Sequence, residues 1–228
     1  LQGPEVKEYQ KKNILEFNGV PFLTSTINFL KSSGLIDIVF VSTDSEEISI
    51  LAEKSGAKIP FIRPKEISND NASTIDVIKH FIENTEEVSI EDNILCVYPV
   101  NPFLEENDLK RAFELLDSNE NKFVVPVTSY SHPIQRALIT SKEGLKPYFN
   151  SAELEKITQK LDQAFHDVGQ FYLARAGNWQ KKEESILKGA IPIFIPRHRA
   201  IDIDTHEDLA FARIMFDGNS LNENSNKS

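Results

Sequence analysis

Ala200-Ile201-Asp202-Ile203-Asp204-Thr205-His206-Glu207-Asp208-Leu209 is the stretch on which the fold turns. Its first half alternates apolar and acidic residues. In an extended chain, side chains two apart share a face, so Asp202 and Asp204 point one way while Ile201 and Ile203 point the other. The expectation is a late strand, Ala200 to Asp204, ending in a pair of carboxylates. Thr205 with Asp208 three residues on, followed by Leu209, Ala212 and Phe216, reads as a capping box opening an amphipathic helix. The acids then fall at a strand-to-helix junction, where open α/β sheets collect ligands. Two carboxylates separated by two strand rises, about 7 Å, can converge on one Mg²⁺ that also holds phosphate oxygens. A solvated acidic face, favoured by the dipole of the helix that follows, explains the same pattern.

Upstream, helix and strand signals alternate. Pro21 to Ser33 carries Leu23, Ile27 and Leu30 at helical spacing, with Gly34 to stop it. Ile36 to Ser42 reads as a buried parallel strand. Asp44 or Ser45 caps a second helix with Ile48, Leu51 and Ala52 inward, closed by Gly56. Lys58 to Ile62 is briefly extended, and a polar loop leads to a third helix opened by Ser73 and Asp76. Asn93 to Tyr98 is the next strand, and the Pro99-to-Pro102 turn leaves Tyr98 and Asn101 at its carboxyl end. A helix over Glu105 to Asp117 and a strand over Phe123 to Val127 follow. The fold class these signals give is α/β, a mostly parallel sheet flanked by helices. From about 128 to 184 the rhythm breaks, and a weakly patterned part runs from Ser151 to Gln163. This region reads as an insertion that lids the site or builds a subunit contact. Ile191 to Ile195 supplies another late strand. Residues 1–216 read as one domain, and 217–228, rich in Asn and Ser, as a disordered tail. Leu1-Gln2-Gly3-Pro4 reads as a cloning remnant, not a native start.

Among 228 residues, 35 acids against 25 Lys and Arg give a formal charge of −10, which excludes a general surface for nucleic acid or anionic membrane. Any phosphate site must then be a local island of positive charge. One cysteine, Cys96, rules out an internal disulfide, and its apolar strand makes it a core residue. No apolar run approaches the roughly 20 residues of a membrane span and no leader is visible, so the cytosol is the expected compartment. No zinc spacing, nucleophile elbow or glycine-rich dinucleotide motif is present.

Several short spans collect chemistry. Lys11-Lys12-Asn13 is a basic pair with an amide, or simply a solvated pair. Ser42-Thr43-Asp44 closes a strand and opens a helix, where hydroxyls and N–H groups meet nucleotides, although Asp44 also serves as a plain N-cap. Thr74, at the head of the third helix, joins the nucleotide candidates. Arg63 is a planar donor fork suited to phosphate. His132-Pro133-Ile134-Gln135-Arg136 and His166-Asp167-Val168-Gly169-Gln170-Phe171-Tyr172 mix amide, imidazole, carboxylate and guanidinium groups, the types that suit a polyhydroxylated acid. Arg197 and Arg199, in Pro196-Arg197-His198-Arg199, form a basic clamp aimed at the aspartate pair, or surface charge beside a strand.

In order, Lys12-Asn13-Ile14, Val41-Ser42-Thr43-Asp44, Arg63-Pro64-Lys65-Glu66, Pro133-Ile134-Gln135-Arg136, His166 through Tyr172 and Pro196 through Thr205 resemble the CMP-nonulosonate synthetases, from about Lys11 to about Arg213. The Pro-Ile-Gln-Arg and His-Asp-x-Gly-Gln-Phe-Tyr spans are similar to the branch that makes CMP-pseudaminic acid. The resemblance implies a Rossmann-like nucleotidyltransferase fold, usually dimeric, with the insertion against its partner subunit. It implies that Asp202 and Asp204 hold Mg²⁺, that Lys12, Asn13 and Arg63 hold the nucleotide, and that Tyr98, Gln135, Arg136, His166, Asp167, Gln170 and Tyr172 line the sugar pocket. One departure stands out. The family opens on a strand of the type A-I-I-P-A-R and a G-G-S-K-R phosphate loop, and Leu1 to Gln10 hold neither; either the native start was lost or these residues belong elsewhere.

The reaction so implied is attack of the anomeric hydroxyl of a nine-carbon acidic sugar on the α-phosphorus of CTP. The residues nominate no general base. Sialic, legionaminic or 3-deoxy-octulosonic acid as the acceptor, or a non-catalytic relative that binds sugar nucleotides, are the alternatives.

Overall fold

The structure, a computed structural model, describes residues 12–69, 71–149, 161–181 and 185–225, with backbone alone over 219–225. The expected lack of a first strand and phosphate loop, Lys11, and most of the weakly patterned span lie outside these residues.

A small hairpin comes first: β1 (Glu16–Phe17) and β2 (Val20–Pro21) pair antiparallel around Asn18 and Gly19, at φ 52° and 80°. A two-residue loop with both φ values positive matches the twist of the strands it joins, and Asn-Gly adopts it readily. The sequence reading passed over this dipeptide. The helices fall where the periodicity puts them: α1 (Phe22–Ser32), α2 (Glu46–Lys54) and α3 (Thr74–Glu83). Ser45 Oγ accepts the Ile48 N–H to cap α2, and Ser73 and Asp76 close a reciprocal capping box on α3.

The strands show where local reading fails. β3 (Asn93–Val97), α4 (Glu106–Asp117) and β4 (Val124–Ser129) match expectation within about a turn. Next come a hairpin of β5 (Leu138–Ser141) and β6 (Gly144–Pro147), then β7 (Phe165–Asp167), β8 (Phe171–Arg175), α5 (Ala176–Trp179) and β9 (Ile191–Phe194). The sheet is mixed, not mostly parallel: β8 runs antiparallel between β3 and β4, and among the named strands only β4 and β9 pair parallel. β8 and α5 lie inside the stretch from about 128 to 184 that was expected to be an insertion. Phe171, Leu173, Ala174 and Trp179 are fully buried, so β8 and α5 are core, and the span before them is what departs from it. Ile36 to Ser42 is extended but partly exposed, and touches the next segment only through parallel bridges, Phe40 to Lys58 and Thr43 to Ile62.

Side chains alternate across the sheet. Val124, Phe171, Leu173 and Ile193 pack on one face with α4 through Leu109 and Leu116. Phe123, Val125, Tyr172 and Ala174 pack on the other with Phe81 of α3 and Trp179 of α5. Along β4, Val127 faces Asp167 whereas Val124, three residues back, faces Leu173, six residues on. The returning chain therefore carries a three-residue bulge at Val168–Gln170, with Gly169 at φ 67°. Bulges of this kind re-aim side chains beside functional sites.

After β9 the chain leaves the sheet through a 3₁₀ turn, Arg197–Arg199. Ala200 to Asp204 consequently has no neighbour to pair with and is not a strand, a correction to the expectation. The alternation survives nonetheless: Asp202 and Asp204 are exposed, while Ile203 is buried among Phe17, Phe22, Phe103, Leu209 and Ala212. Full burial of one such side chain is worth about 1.5–3 kcal/mol, enough to hold the segment down. The final helix, α6, spans His206–Ser225 and so reaches into the stretch from 217 that was expected to be a tail, whose last three residues lie outside the described ones.

Candidate active site

The acid pair is set by the head of α6. Asp208 accepts the N–H groups of Asp204 and Thr205 and the Thr205 hydroxyl, and Thr205 Oγ1 accepts the Asp208 N–H (3.2 Å), which is the anticipated box. Burial works against the Asp208 charge, but those Thr205 and Asp204 donors outweigh it and hold the carboxyl low. Asp202 is different. Partial burial and the adjacent Asp204 charge push its carboxyl up, with Lys12 and the Ile203 N–H pulling the other way. Lys12, from a 3₁₀ turn at Lys12–Ile14, reaches Asp204 across 192 residues of sequence, Nζ to Oδ1 2.8 Å. The structure thus unites one basic and two acidic candidates, with Asn13 beside Lys12 in the same turn.

Ser42, Asp44 and Arg63 form a second group. The Arg63 N–H donates to the Thr43 carbonyl (2.8 Å), its Nε to Ser68 Oγ (3.0 Å), and its guanidinium lies 3.9 Å from Asp44. Ser42 Oγ is buried with no hydrogen-bond partner among the described residues, which leaves it able to meet a ligand.

A third group is a chain of hydroxyls. Thr74 Oγ1 shares a hydrogen bond with Tyr98 (2.7 Å), the Tyr98 and Tyr172 rings meet edge-on at 5.9 Å, and the Tyr172 hydroxyl donates to Asp167. The second Asp167 oxygen accepts the Gly169 N–H (2.8 Å), supplied by the bulge. Burial raises both phenols, and the Asp167 bond raises Tyr172 further, so both stay neutral donors. Burial likewise pushes the Cys96 thiol up to about 12, in keeping with a core residue.

Gln170 joins these groups from within. Its carbonyl accepts the Tyr98 N–H, and its Nε2 donates to the Arg199 carbonyl (2.9 Å). Arg199 differs from the expected surface clamp: its guanidinium is buried and paired with Asp108 and Glu105 at the head of α4. Asp108 and Glu105 are the residues sequence reasoning missed, because nothing local marks an N-terminal helix acid as the partner of a distant arginine. Arg197 is exposed and lines a cleft of about 320 Å³ with Tyr130, His132 and Asp162, beyond the carboxyl ends of β4 and β9. Gln135 donates to the Asp162 carbonyl (2.9 Å) beside that cleft, and its own amide oxygen is buried without a partner among the described residues. Arg136 is exposed next to it, and His166 contacts the Tyr130 ring at 4.9 Å.

Among the described residues, no group of three or more His, Cys, Asp or Glu side chains is poised to hold a metal, and no helix is long and apolar enough to cross a membrane.

A family model described as cytidylyltransferase matches residues 9–212. Pseudaminic acid cytidylyltransferase of Campylobacter jejuni subsp. jejuni serotype O:2 is 36% identical over 212 residues, 92% of this chain and 91% of its own length. A Helicobacter pylori protein named pseudaminic acid cytidylyltransferase and UDP-2,4-diacetamido-2,4,6-trideoxy-β-L-altropyranose hydrolase is 30% identical over 210 residues, 91% of this chain and 38% of its own. The solved structure of CMP:2-keto-3-deoxy-manno-octonic acid synthetase complexed with CTP shares the fold, with a TM-score of 0.61 at 14% identity over 91% of this chain and 92% of its own.

Proposed function

This chain belongs to the cytidylyltransferase family, and from that premise we propose that it transfers CMP from CTP to the anomeric hydroxyl of a nonulosonic acid, pseudaminic acid, releasing pyrophosphate. The anomeric oxygen bonds to the α-phosphorus as the bond to the pyrophosphate oxygen breaks. A transfer of this kind is helped chiefly by positioning and by offsetting charge. The observation that carries the reading is the meeting of Lys12 with Asp204, beside Asp202, at the head of α6.

Mg²⁺ is the cofactor this site fits. Two exposed carboxylates that repel one another leave most of the coordination shell to water and phosphate oxygens, which is how Mg²⁺ is commonly held. Bound by Asp202 and Asp204, the ion would offset phosphate charge and polarise the phosphoryl group. Lys12 and Asn13 bind the phosphates from the near side, and Arg63, Ser42, Asp44 and Thr74 hold the rest of the nucleotide. Asp167, both oxygens oriented by Tyr172 and Gly169, keeps acceptor capacity for sugar hydroxyl and amide donors. Tyr98, Gln170 and His166 complete that wall, and Gln135, Arg136 and Arg197 face the sugar carboxylate. The enzyme works as a homodimer through the β5–β6 hairpin and the residues just after it, where exposed Leu138, Leu145, Tyr148 and Phe149 support the assignment.

The test is CTP-dependent pyrophosphate release by the intact protein with pseudaminic, N-acetylneuraminic and legionaminic acids offered separately. Pseudaminic acid is expected to be turned over preferentially. A clear preference for either of the other sugars would overturn the substrate, and no sugar-dependent release would overturn the activity.

A further inference from the structure

Arg199 sits behind the site it was expected to face. The residue is 8% exposed, and its guanidinium pairs with the buried Asp108 and, at 3.1 Å, with the half-exposed Glu105. Arg111 also approaches Asp108, at 3.9 Å, from the solvent side. The Arg199 carbonyl accepts from Gln170 Nε2 (2.9 Å), and the Gln170 carbonyl accepts from the Tyr98 N–H (3.0 Å) and, more loosely, Asn101 Nδ2 (3.5 Å). A single polar strut thus ties α4, the loop after β3, the head of β8 and the 3₁₀ turn of Arg197–Arg199.

Asp202 lies three residues beyond that strut, and Ile203, next to it, is locked in the aromatic cluster around Phe103. Between these anchors Ala200 to Asp204 belongs to no β-ladder. The segment bearing Asp202 is therefore anchored upstream by Arg199 and downstream by Ile203 and the head of α6, where Asp208 and Lys12 hold Asp204. The ion pair is a poor explanation of stability. Replacing both members of a buried pair by apolar residues of similar volume is often neutral or stabilising, whereas removing one leaves an isolated buried charge. The contribution left to it is geometry, and a misplacement of about 1 Å can cost about a hundredfold in rate.

We propose that Asp108 is a positioning residue of the transfer reaction, acting through Arg199 to fix the turn that leads into the segment bearing Asp202 and Asp204, without touching either substrate. The inference rests on the reading of that acid pair as the cation and phosphate site.

The test compares the double variant Asp108→Leu/Arg199→Met with Asp202→Asn in the intact protein. The double variant is expected to melt at or above the parent temperature, yet to lose about tenfold or more in kcat. Mn²⁺ titration followed by electron paramagnetic resonance, without substrates, is expected to show about tenfold weaker binding, a change that a merely structural role would not produce. Should the double variant not fold, Arg199→Lys carries the same test, since it keeps a buried cation facing Asp108 but replaces the planar guanidinium whose Nη1 meets both Asp108 and Glu105. Parental kcat and Mn²⁺ affinity in the folded variant, with Asp202→Asn inactive, would overturn the positioning role and leave the acid pair standing. Full activity and Mn²⁺ binding in Asp202→Asn would overturn the acid pair itself.

Discussion

Partial burial and the neighbouring Asp204 charge raise the Asp202 carboxyl above its ordinary value of 3.8, against the pull of Lys12. Between 3.8 and that higher value the folded state binds more protons than the unfolded state, so stability falls as pH rises through the window and stays lower at neutral pH. Removing the charge should then help the fold while harming the chemistry. Asp202→Asn is expected to melt higher than the parent at pH 7, with the gain gone in acid below the ordinary carboxylate range, and to lose at least about a hundredfold in turnover. Melting curves at both pH values, with steady-state rates, check this; a lower melting temperature at pH 7 would mean that Asp202 is a structural acid. Tyr172 makes a different kind of contribution, as the donor that orients Asp167. A hydrogen bond to a charged group is worth about 1.5–3 kcal/mol, so Tyr172→Phe should raise the sugar KM by about tenfold or more. The CTP KM should stay put. Initial rates with each substrate varied in turn separate the two, and equal changes in both constants would count against Asp167 as a sugar contact.

At the scale of elements, what could be read from the sequence was whatever is decided within a few residues. Ser73 with Asp76 and Thr205 with Asp208 announce their helices because a cap is a local bargain between a side chain and orphan N–H groups. Ser73→Ala should cost about 1 kcal/mol in a urea titration. The Ser73 hydroxyl and N–H hold the Asp76 carboxyl low, so this support is present above the ordinary carboxylate range and fades as pH falls through the lower folded value; the gap between variant and parent should narrow in acid. The direction of β8 was not legible. Phe171 to Ala174 is a short apolar run, and only its partners, Leu95 and Val124 among them, dictate that it runs opposite to both neighbours. Arg197 and Arg199 are alike in local sequence. What separates an exposed arginine from a buried one is Asp108, 91 residues away. The acid pair, by contrast, was legible by its alternation even though the segment joins no sheet.

For the whole molecule, the chain that leaves the sheet after β9 brings together residues from opposite ends of the sequence: Lys12 from the start of the described residues and Asp204 from the segment before α6. The β5–β6 hairpin projects from this core with Leu145 at 70% exposure. If this water-facing apolar hairpin is where the proposed second copy docks, Leu145→Ser with Tyr148→Ser is expected to shift sedimentation from dimer to monomer without lowering the melting temperature of the core. A parent that already sediments as a monomer would rule out that contact. On the proposed function, Asp202 and Asp204 would hold a divalent cation that offsets the charge of the CTP phosphates. The most direct measurement is a crystal of the intact protein grown with CTP and Mn²⁺ and recorded at the manganese edge. One anomalous peak within coordination distance of both carboxylates and a phosphate oxygen is the expected result; CTP bound with those carboxylates turned away from it, or manganese held elsewhere, would contradict the assignment of the acid pair.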